Sequence, residues 1–515
     1  MRAGVKDILL AAAIAVVVLL HGAWLARITP FNMGDEGYLY YIAWRVQQGA
    51  RLFEDIELFT YAPGLFQLWG EWFDLFGPTV ASGRALGVLL AALNVALSYG
   101  VARALGLRFG PAIGIAAVIL LSYPWLFRGH ILLLSQLALL LSLFAQSSAG
   151  RLPLALLGAL VIVGAAVRID AAATAGALAF GSVMLRLEAH RSLAKLGSDV
   201  LAGLIGATLA GLAVALAYSQ VGVLAGWLGQ LRDFAGFAHS RSVAWYKLPF
   251  PRLGGPGSDL MTLLMLSSAA WPLLGVAAAF YKRWQSASPE WRKLALLSLF
   301  AVVNLPQFLI ERPDGAHLAD RAFAIVLLIA GLLSAAGHNR HLRVVGAAGM
   351  IWLAALVVWS FRDAGTLHGA ARVPALAVML AGEPVPLPED RHLVVALQYL
   401  DRNLGPQESL ASLPFAPGAN FVLKRPMPSP QVNFFPFNQQ RVGSEDALRR
   451  GLAAPTLRYV LLQPDFQMSP DPRANISCYA PRLAADLNRF GKINQSERWW
   501  VLQKGGRSIF PARAC

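Results

Sequence analysis

About eleven apolar runs, each roughly 17 to 24 residues long, succeed one another through the first 361 residues, and this pattern constrains the chain more than any other feature. They lie near 8–26, 79–102, 110–126, 130–148, 153–168, 170–186, 198–221, 259–281, 294–310, 321–337 and 343–361. A run of that length, wound as a helix, crosses a hydrocarbon core with its backbone groups paired internally. With 56% hydrophobic and 14% charged residues, the chain is too apolar for a soluble fold. The first run, Ile8 to Ala26, has no small-residue cleavage site after a short apolar stretch, so it reads as a retained span.

The net charge of +15 raises the question of nucleic acid, and the placement of the charges answers it. Arg2 and Lys6, Arg103 and Arg108, Arg151, Arg186 with Arg191 and Lys195, Lys282 with Arg283, Arg292 and Lys293, and Arg340 with Arg343 fall in every second connection. That alternation is the signature of cytoplasmic loops, and no basic groove with interleaved aromatics accompanies it. Nucleic acid is excluded as a partner, whereas membrane lipids are implied. An odd number of spans with a cytoplasmic N-terminus puts the C-terminal tail on the outer side, the periplasm of a double-membraned bacterium. The Ala-rich make-up fits such a host and its inner membrane.

The expected architecture is therefore a polytopic α-helical membrane protein of about eleven transmembrane helices, carrying a small C-terminal α/β domain. Residues 1–361 form the membrane domain, including a first outer loop over 27–78, and 362–515 the periplasmic one. In the loop, Tyr38, Tyr41, Ile42 and Arg45 recur at helical spacing, as do Leu65, Leu68, Trp69, Trp72 and Phe76; both stretches read as amphipathic helices at the membrane interface. A second outer segment, Trp227 to Asp259, holds a Gly/Pro-rich turn at Pro249 to Gly257, suited to a loop over a cavity. In the tail, helices are expected at Arg391–Asn403 and, from a serine cap, near Ser444–Leu452. Strands are expected at Ser409–Leu413, Leu457–Gln463 and Trp499–Gln503. Cys478 and Cys515, both in the tail, are either a disulfide or two free thiols.

The string Gly34-Asp35-Glu36-Gly37-Tyr38 follows the first span on its outer side. Two adjacent carboxylates at a partly desolvated membrane face can supply a general base. They can equally be helix furniture, with Asp35 as cap and Glu36 favouring the positive helix end. Metal-ligand spacing is absent, as are nucleophile triads and phosphate-cradling glycine loops, so a metal-independent, cofactor-free protein is expected.

That acidic pair, followed by Gly49 to Asp55 (GARLFED), by Tyr61-Ala62-Pro63-Gly64 and by an aromatic amphipathic helix, resembles the first outer loop of the GT-C glycosyltransferases. It is similar in particular to the bacterial branch related to protein mannosyltransferases and to the lipid A aminoarabinose transferase. The likeness continues in Arg84, in Arg168-Ile169-Asp170, in Arg312-Pro313-Asp314 with His317, and in Leu413 to Pro430 (LPFAPGANFVLKRPMPSP), and so runs through most of the chain. It implies transfer of a sugar from a polyprenyl phosphate donor to a lipid, glycan or protein acceptor on the outer face, by direct displacement with inversion. Asp35 would be the base, and Glu36 would orient it or the acceptor. Tyr38, Asp55 and Tyr61 in the loop would contact substrate, together with Asp170, His317 and the phosphate-facing cations Arg168, Arg312 and Arg321.

Each of these residues has an ordinary reading beside that one. Arginines at span ends snorkel to headgroups, Arg168 can simply neutralise Asp170, and a lone histidine is commonly structural. One departure from the pattern stands out: the next outer turn, Tyr123 to His130, holds no carboxylate where some relatives have one, so either Asp55 or Asp170 takes over that role or the chemistry needs only the one acidic pair. The competing functional classes are a flippase or transporter of polyprenyl-linked sugars and a non-catalytic envelope assembly protein. Against a carrier stands the absence of Gly/Pro-broken span pairs in matching halves.

Overall fold

The computed structural model describes residues 4–58, 61–147, 150–241, 259–285, 290–306, 314–337, 339–435, 444–466, 471–494 and 496–507. The chain is mostly helical. In order, the helices of the apolar region and its insertions are α1 (Val5–Ile28), α2 (Asp35–Gln47), α3 (Pro63–Phe76), α4 (Val80–Ala104), α5 (Phe109–Leu121), α6 (Gly129–Ser147), α7 (Leu152–Val167), α8 (Ile169–His190), α9 (Leu193–Gln220), α10 (Leu224–Arg241), α11 (Asp259–Ser268), α12 (Ala270–Gln285), α13 (Glu290–Pro306), α14 (Gly315–Ala336) and α15 (Arg340–Ser360). The tail adds α16 (Leu367–Ala370), β1 (Ala375–Leu380), β2 (Glu383–Pro388), α17 (Arg391–Asn403), β3 (Ser409–Leu413), α18 (Pro417–Val422), α19 (Ser444–Ala453), β4 (Leu457–Leu462), α20 (Ile476–Tyr479), α21 (Pro481–Leu487), β5 (Phe490–Lys492) and β6 (Trp500–Lys504).

Among the described residues, seven helical segments are long and apolar enough to cross a bilayer, and α5 and α7 are shorter apolar helices. This is a multi-pass membrane protein. Each apolar run of the sequence lies on a helix, with instructive differences at the ends. The run near 259–281 is two helices, because Pro272 has no N–H for the turn before it and its ring crowds the Ser268 carbonyl. α14 begins at Gly315, where the Asp314 carboxylate accepts the His317 amide at 3.0 Å. Arg321 therefore sits almost two turns into that helix, not at its end as the apolar run alone implied. The Gly/Pro turn expected at Pro249 to Gly257 lies outside the described residues.

Two compact units can be distinguished. The first comprises residues 1–26, 85–218 and 249–372. Its centre is α14, buried along nearly its whole length against α12, α13 and α15. Several charges in this unit are paired. Asp7 accepts from Arg103 Nε at 2.7 Å and from the Tyr99 hydroxyl at 2.8 Å. Asp199 of α9 accepts from Arg186 of α8 at 2.8 Å. Such pairing is what permits ionised groups near a membrane interior.

The second unit comprises 27–84, 219–248 and 373–515. Its sheet has the order β3-β4-β6-β5, with β3 and β4 parallel and the other pairs antiparallel. The separate hairpin β1–β2 was not foreseen from the sequence. Pro384, Pro386 and Pro388 alternate along β2 and remove every second donor, which suits an outer strand, and the Pro386 carbonyl accepts from Phe31 N at 2.6 Å. α17 starts where the Asp390 carboxylate accepts from His392 and Leu393 amides. Ser444 opens α19, but its buried hydroxyl finds no partner among the described residues, so the expected serine cap does not form. Cys478 is disulfide-bonded; Cys515 lies outside the described residues.

The largest correction concerns α2. Its aromatic residues suggested a helix lying at the membrane surface, yet Glu36 through Trp44 are all buried, against α3 on one side and α18 on another. Gly37 is what lets α18 approach: a Cβ there would collide with the backbone of Gly418, whose amide donates to the Met33 carbonyl at 2.9 Å. Gly37→Ala is expected to destabilise the unit by about 1–3 kcal/mol, the scale of overpacking against atoms that cannot move aside. Thermal aggregation of the detergent-solubilised protein checks this, and an unchanged profile would mean that α18 yields. α3 keeps the expected two-faced character, burying Leu65, Phe66, Trp69 and Phe73 while Leu68, Leu75 and Phe76 face outward.

Candidate active site

The acidic pair in the second unit is organised by a residue the sequence reading passed over. Asn32 Oδ1 accepts the Gly34 and Asp35 amides at 2.9 and 3.0 Å, and the Asn32 amide donates to Glu36 Oε2 at 3.1 Å. This reciprocal arrangement satisfies the first donors of α2, so the cap belongs to Asn32 and the expected capping by Asp35 is not what the structure has. An Asn-x-x-Asp-Glu spacing was the available signal.

Glu36 is 1% exposed and both its oxygens are engaged by Arg84, Nε to Oε1 at 2.7 Å and Nη2 to Oε2 at 2.9 Å. Arg84 also donates to the carbonyls of Thr29 and Pro30, at 2.7 and 3.1 Å. A bidentate pair with its remaining donors satisfied by backbone is the geometry in which a buried ion pair is tolerated. It staples the exit of α1 to α2 and holds Glu36 away from any proton-transfer role. Asp35, the first residue of α2, is half-buried and stands outside that pair.

Around this turn lies a set of rings. Tyr38 packs against Tyr61, Phe66 and Phe415 at 5.8 to 6.4 Å between centroids. Phe415 in turn meets Phe435 at 4.7 Å and Phe466 at 6.4 Å. The Tyr38 hydroxyl is buried without a hydrogen-bond partner among the described residues, and burial pushes its ionisation well above the usual phenol range, so it is a neutral donor. Gly34 leaves room for Phe415, since a Cβ would come within 2.7 Å of that ring. The string from Leu413 to Pro430 is thereby brought against the acidic turn: the Tyr41 hydroxyl accepts the Met427 amide at 2.7 Å, and Gln431 Nε2 donates to Glu57 Oε2 at 2.8 Å. Tyr61 offers its carbonyl to Gln230 at 3.1 Å. Asp55 is exposed and closes its own turn by accepting the Arg51 amide at 2.8 Å.

The first unit holds the second constellation. Arg168 is the extended residue joining α7 to α8, and its Nε lies 2.9 Å from Asp170 Oδ1. The other oxygen of Asp170 is bound by Arg321 Nη2 of α14, whose Nη1 donates to Asn304 Oδ1 at 2.9 Å. One carboxylate is thus shared by two guanidiniums. The preceding residue of α14, Asp320, takes the opposite partner, Arg128. His317, a turn earlier, is 8% exposed, and its Nδ1 lies 2.7 Å from Asp314 Oδ1. Arg312 lies outside the described residues. Arg128, Asp320 and Asn304 were not singled out from the sequence, because a charge or amide at the edge of an apolar run does not reveal its partner. Among the described residues no three His, Cys, Asp or Glu side chains converge as a metal site would require.

Comparison with solved structures bears on this helical membrane architecture directly. The chain resembles ArnT from Cupriavidus metallidurans in its apo state, with a TM-score of 0.52 and 14% identity over 97% of this chain and 98% of that one. It likewise resembles the same protein bound to undecaprenyl phosphate, with a TM-score of 0.50 and 16% identity over 96% and 97%. At this identity the likeness is one of fold, and the fold is that of the aminoarabinose transferase, a GT-C glycosyltransferase. No protein-family model and no curated protein sequence matches the chain.

Proposed function

We propose that this protein is a membrane glycosyltransferase that moves a sugar from a polyprenyl phosphate to an acceptor on the outer face of a bacterial inner membrane. In this reading about eleven helices cross the bilayer, the N-terminus is cytoplasmic and the C-terminal α/β elements are periplasmic. The observation that carries it is the Asn32–Glu36–Arg84 arrangement, which fixes the turn before α2 with Asp35 half-buried at its head, on a fold that resembles ArnT over 97% of the chain. The fact that the ArnT fold is recorded with undecaprenyl phosphate bound supports the donor class.

The chemistry follows from the groups present. Asp35 takes the proton of an acceptor hydroxyl as its oxygen attacks the anomeric carbon. The carbon–oxygen bond to the phosphate breaks, and the polyprenyl phosphate leaves with the bonding electrons and one more negative charge. The leaving group calls for fixed positive charge, the role that the family resemblance gives to Arg168 and Arg321. Direct displacement inverts the anomeric centre. Tyr61, half-buried beside Tyr38, offers a ring face to a sugar, whereas Asp55 and His317 are read as structural because each has a polar atom closing a local turn.

The test is to supply membranes containing the full chain with a panel of radiolabelled undecaprenyl phosphate sugars. A covalent product, with undecaprenyl phosphate released in equal amount, is expected for one donor. Solute moved into vesicles without any covalent product would instead assign a carrier.

A further inference from the structure

We infer that the first unit carries a binding site for an anionic phospholipid headgroup at the end of the spans proposed to face the cytoplasm. A cleft of about 440 Å³ opens between the turn joining α4 to α5, the last turn of α14 and the first turn of α15. Its floor is apolar, formed by Leu107, Pro111, Leu333 and Ala336, and its rim carries Arg108 and Arg343. Among the described residues no carboxylate lines it.

The contrast with neighbouring cations is what gives the two arginines meaning. Arg103 is bound by Asp7 and Lys293 Nζ donates to the Ala104 carbonyl at 2.8 Å, so the basic residues around this turn are generally consumed by the fold. Arg108 and Arg343 are exposed and, among the described residues, in no ion pair. Among the described residues Arg343 Nε donates to the Gly337 carbonyl at 3.0 Å, which orients its guanidinium. The turns that bound the cleft use backbone conformations that favour glycine, with φ of +97° at Gly106 and +47° at Gly337.

Two guanidiniums over an apolar floor fit one chemistry, a phosphodiester whose oxygens take charge-assisted hydrogen bonds while the first carbons of its chains lie on hydrocarbon. A free phosphate would gain nothing from the floor, and a zwitterionic headgroup would bring an ammonium towards two like charges.

Native mass spectrometry of the full chain, purified in mild detergent with equal phosphatidylglycerol and phosphatidylcholine, tests this. The wild type is expected to retain one phosphatidylglycerol in preference to phosphatidylcholine, and Arg108→Gln/Arg343→Gln to lose that preference by about 25-fold, given roughly a five-fold effect for each of two basic contacts. Arg340→Gln, removing an exposed arginine outside the cleft, should leave it unchanged. The proposal is overturned if the two lipids are retained equally by the wild type, if the double variant keeps the preference, or if Arg340→Gln lowers it as much. Displacement of phosphatidylglycerol by inorganic phosphate at equal concentration would also overturn it, in favour of a free-anion site. The double variant must melt with the wild type in phosphatidylcholine alone; if it does not, the single variants Arg108→Gln and Arg343→Gln are each read against the same outcomes.

Discussion

Arg84→Met is expected to cost about 3–5 kcal/mol, because it leaves the Glu36 carboxylate buried without its counter-charge. The arginine is 2% exposed and Glu36 1%, so water cannot replace the lost partner. The carbonyls of Thr29 and Pro30 lose their donors at the same time. Since a protein of this kind unfolds irreversibly, the readout is the temperature at which half of the detergent-solubilised protein leaves the monodisperse peak. Two further variants give the result its meaning. Arg84→Lys keeps the charge but not the two-pronged geometry, and should fall between wild type and Arg84→Met. Glu36→Gln/Arg84→Met removes both charges and should recover most of the loss, as buried pairs replaced together often do. If the double variant is as unstable as Arg84→Met, the carbonyl contacts, not the ion pair, hold the turn.

That pair shows where sequence reading stops. Glu36 and Arg84 are both conspicuous in the sequence, but 48 residues separate them and nothing local says that they meet. The apolar runs were legible because lipid imposes a length and a composition on each helix independently of its neighbours. α17 was legible for a similar reason: Asp390 is a cap with two amides in reach, and the apolar positions that follow recur on one face. α2 was misread because Tyr and Trp are equally at home at a membrane surface and in an aromatic core. What buries it, besides the neighbouring α3, is α18, nearly four hundred residues away along the chain. β2 was missed because alternating prolines argue against a strand unless its partner strand is known. In the candidate site the pairing of Arg168 with Asp170 could be anticipated from spacing, whereas the claim of Arg321 on the same carboxylate needed the true start of α14.

Asp35→Asn is expected to reduce sugar transfer by about 10²- to 10⁴-fold while leaving stability and donor binding unchanged. The magnitude is that of losing a positioned general base, and asparagine keeps the size of the side chain and its place at the head of α2. Because Asn32 Oδ1 holds the residue 35 amide, not its side chain, the turn should survive the substitution. Glu36→Gln should also lower activity, but by a different route, through a melting temperature that falls with it. Comparing the two variants separates proton transfer from support: only the base should show lost turnover at native stability. Asp35→Glu, with the carboxylate displaced by one methylene, should restore part of the rate. If Asp35→Asn transfers sugar within ten-fold of wild type, the base lies elsewhere, and Asp170 does not inherit the role easily, since Arg168 and Arg321 hold both of its oxygens.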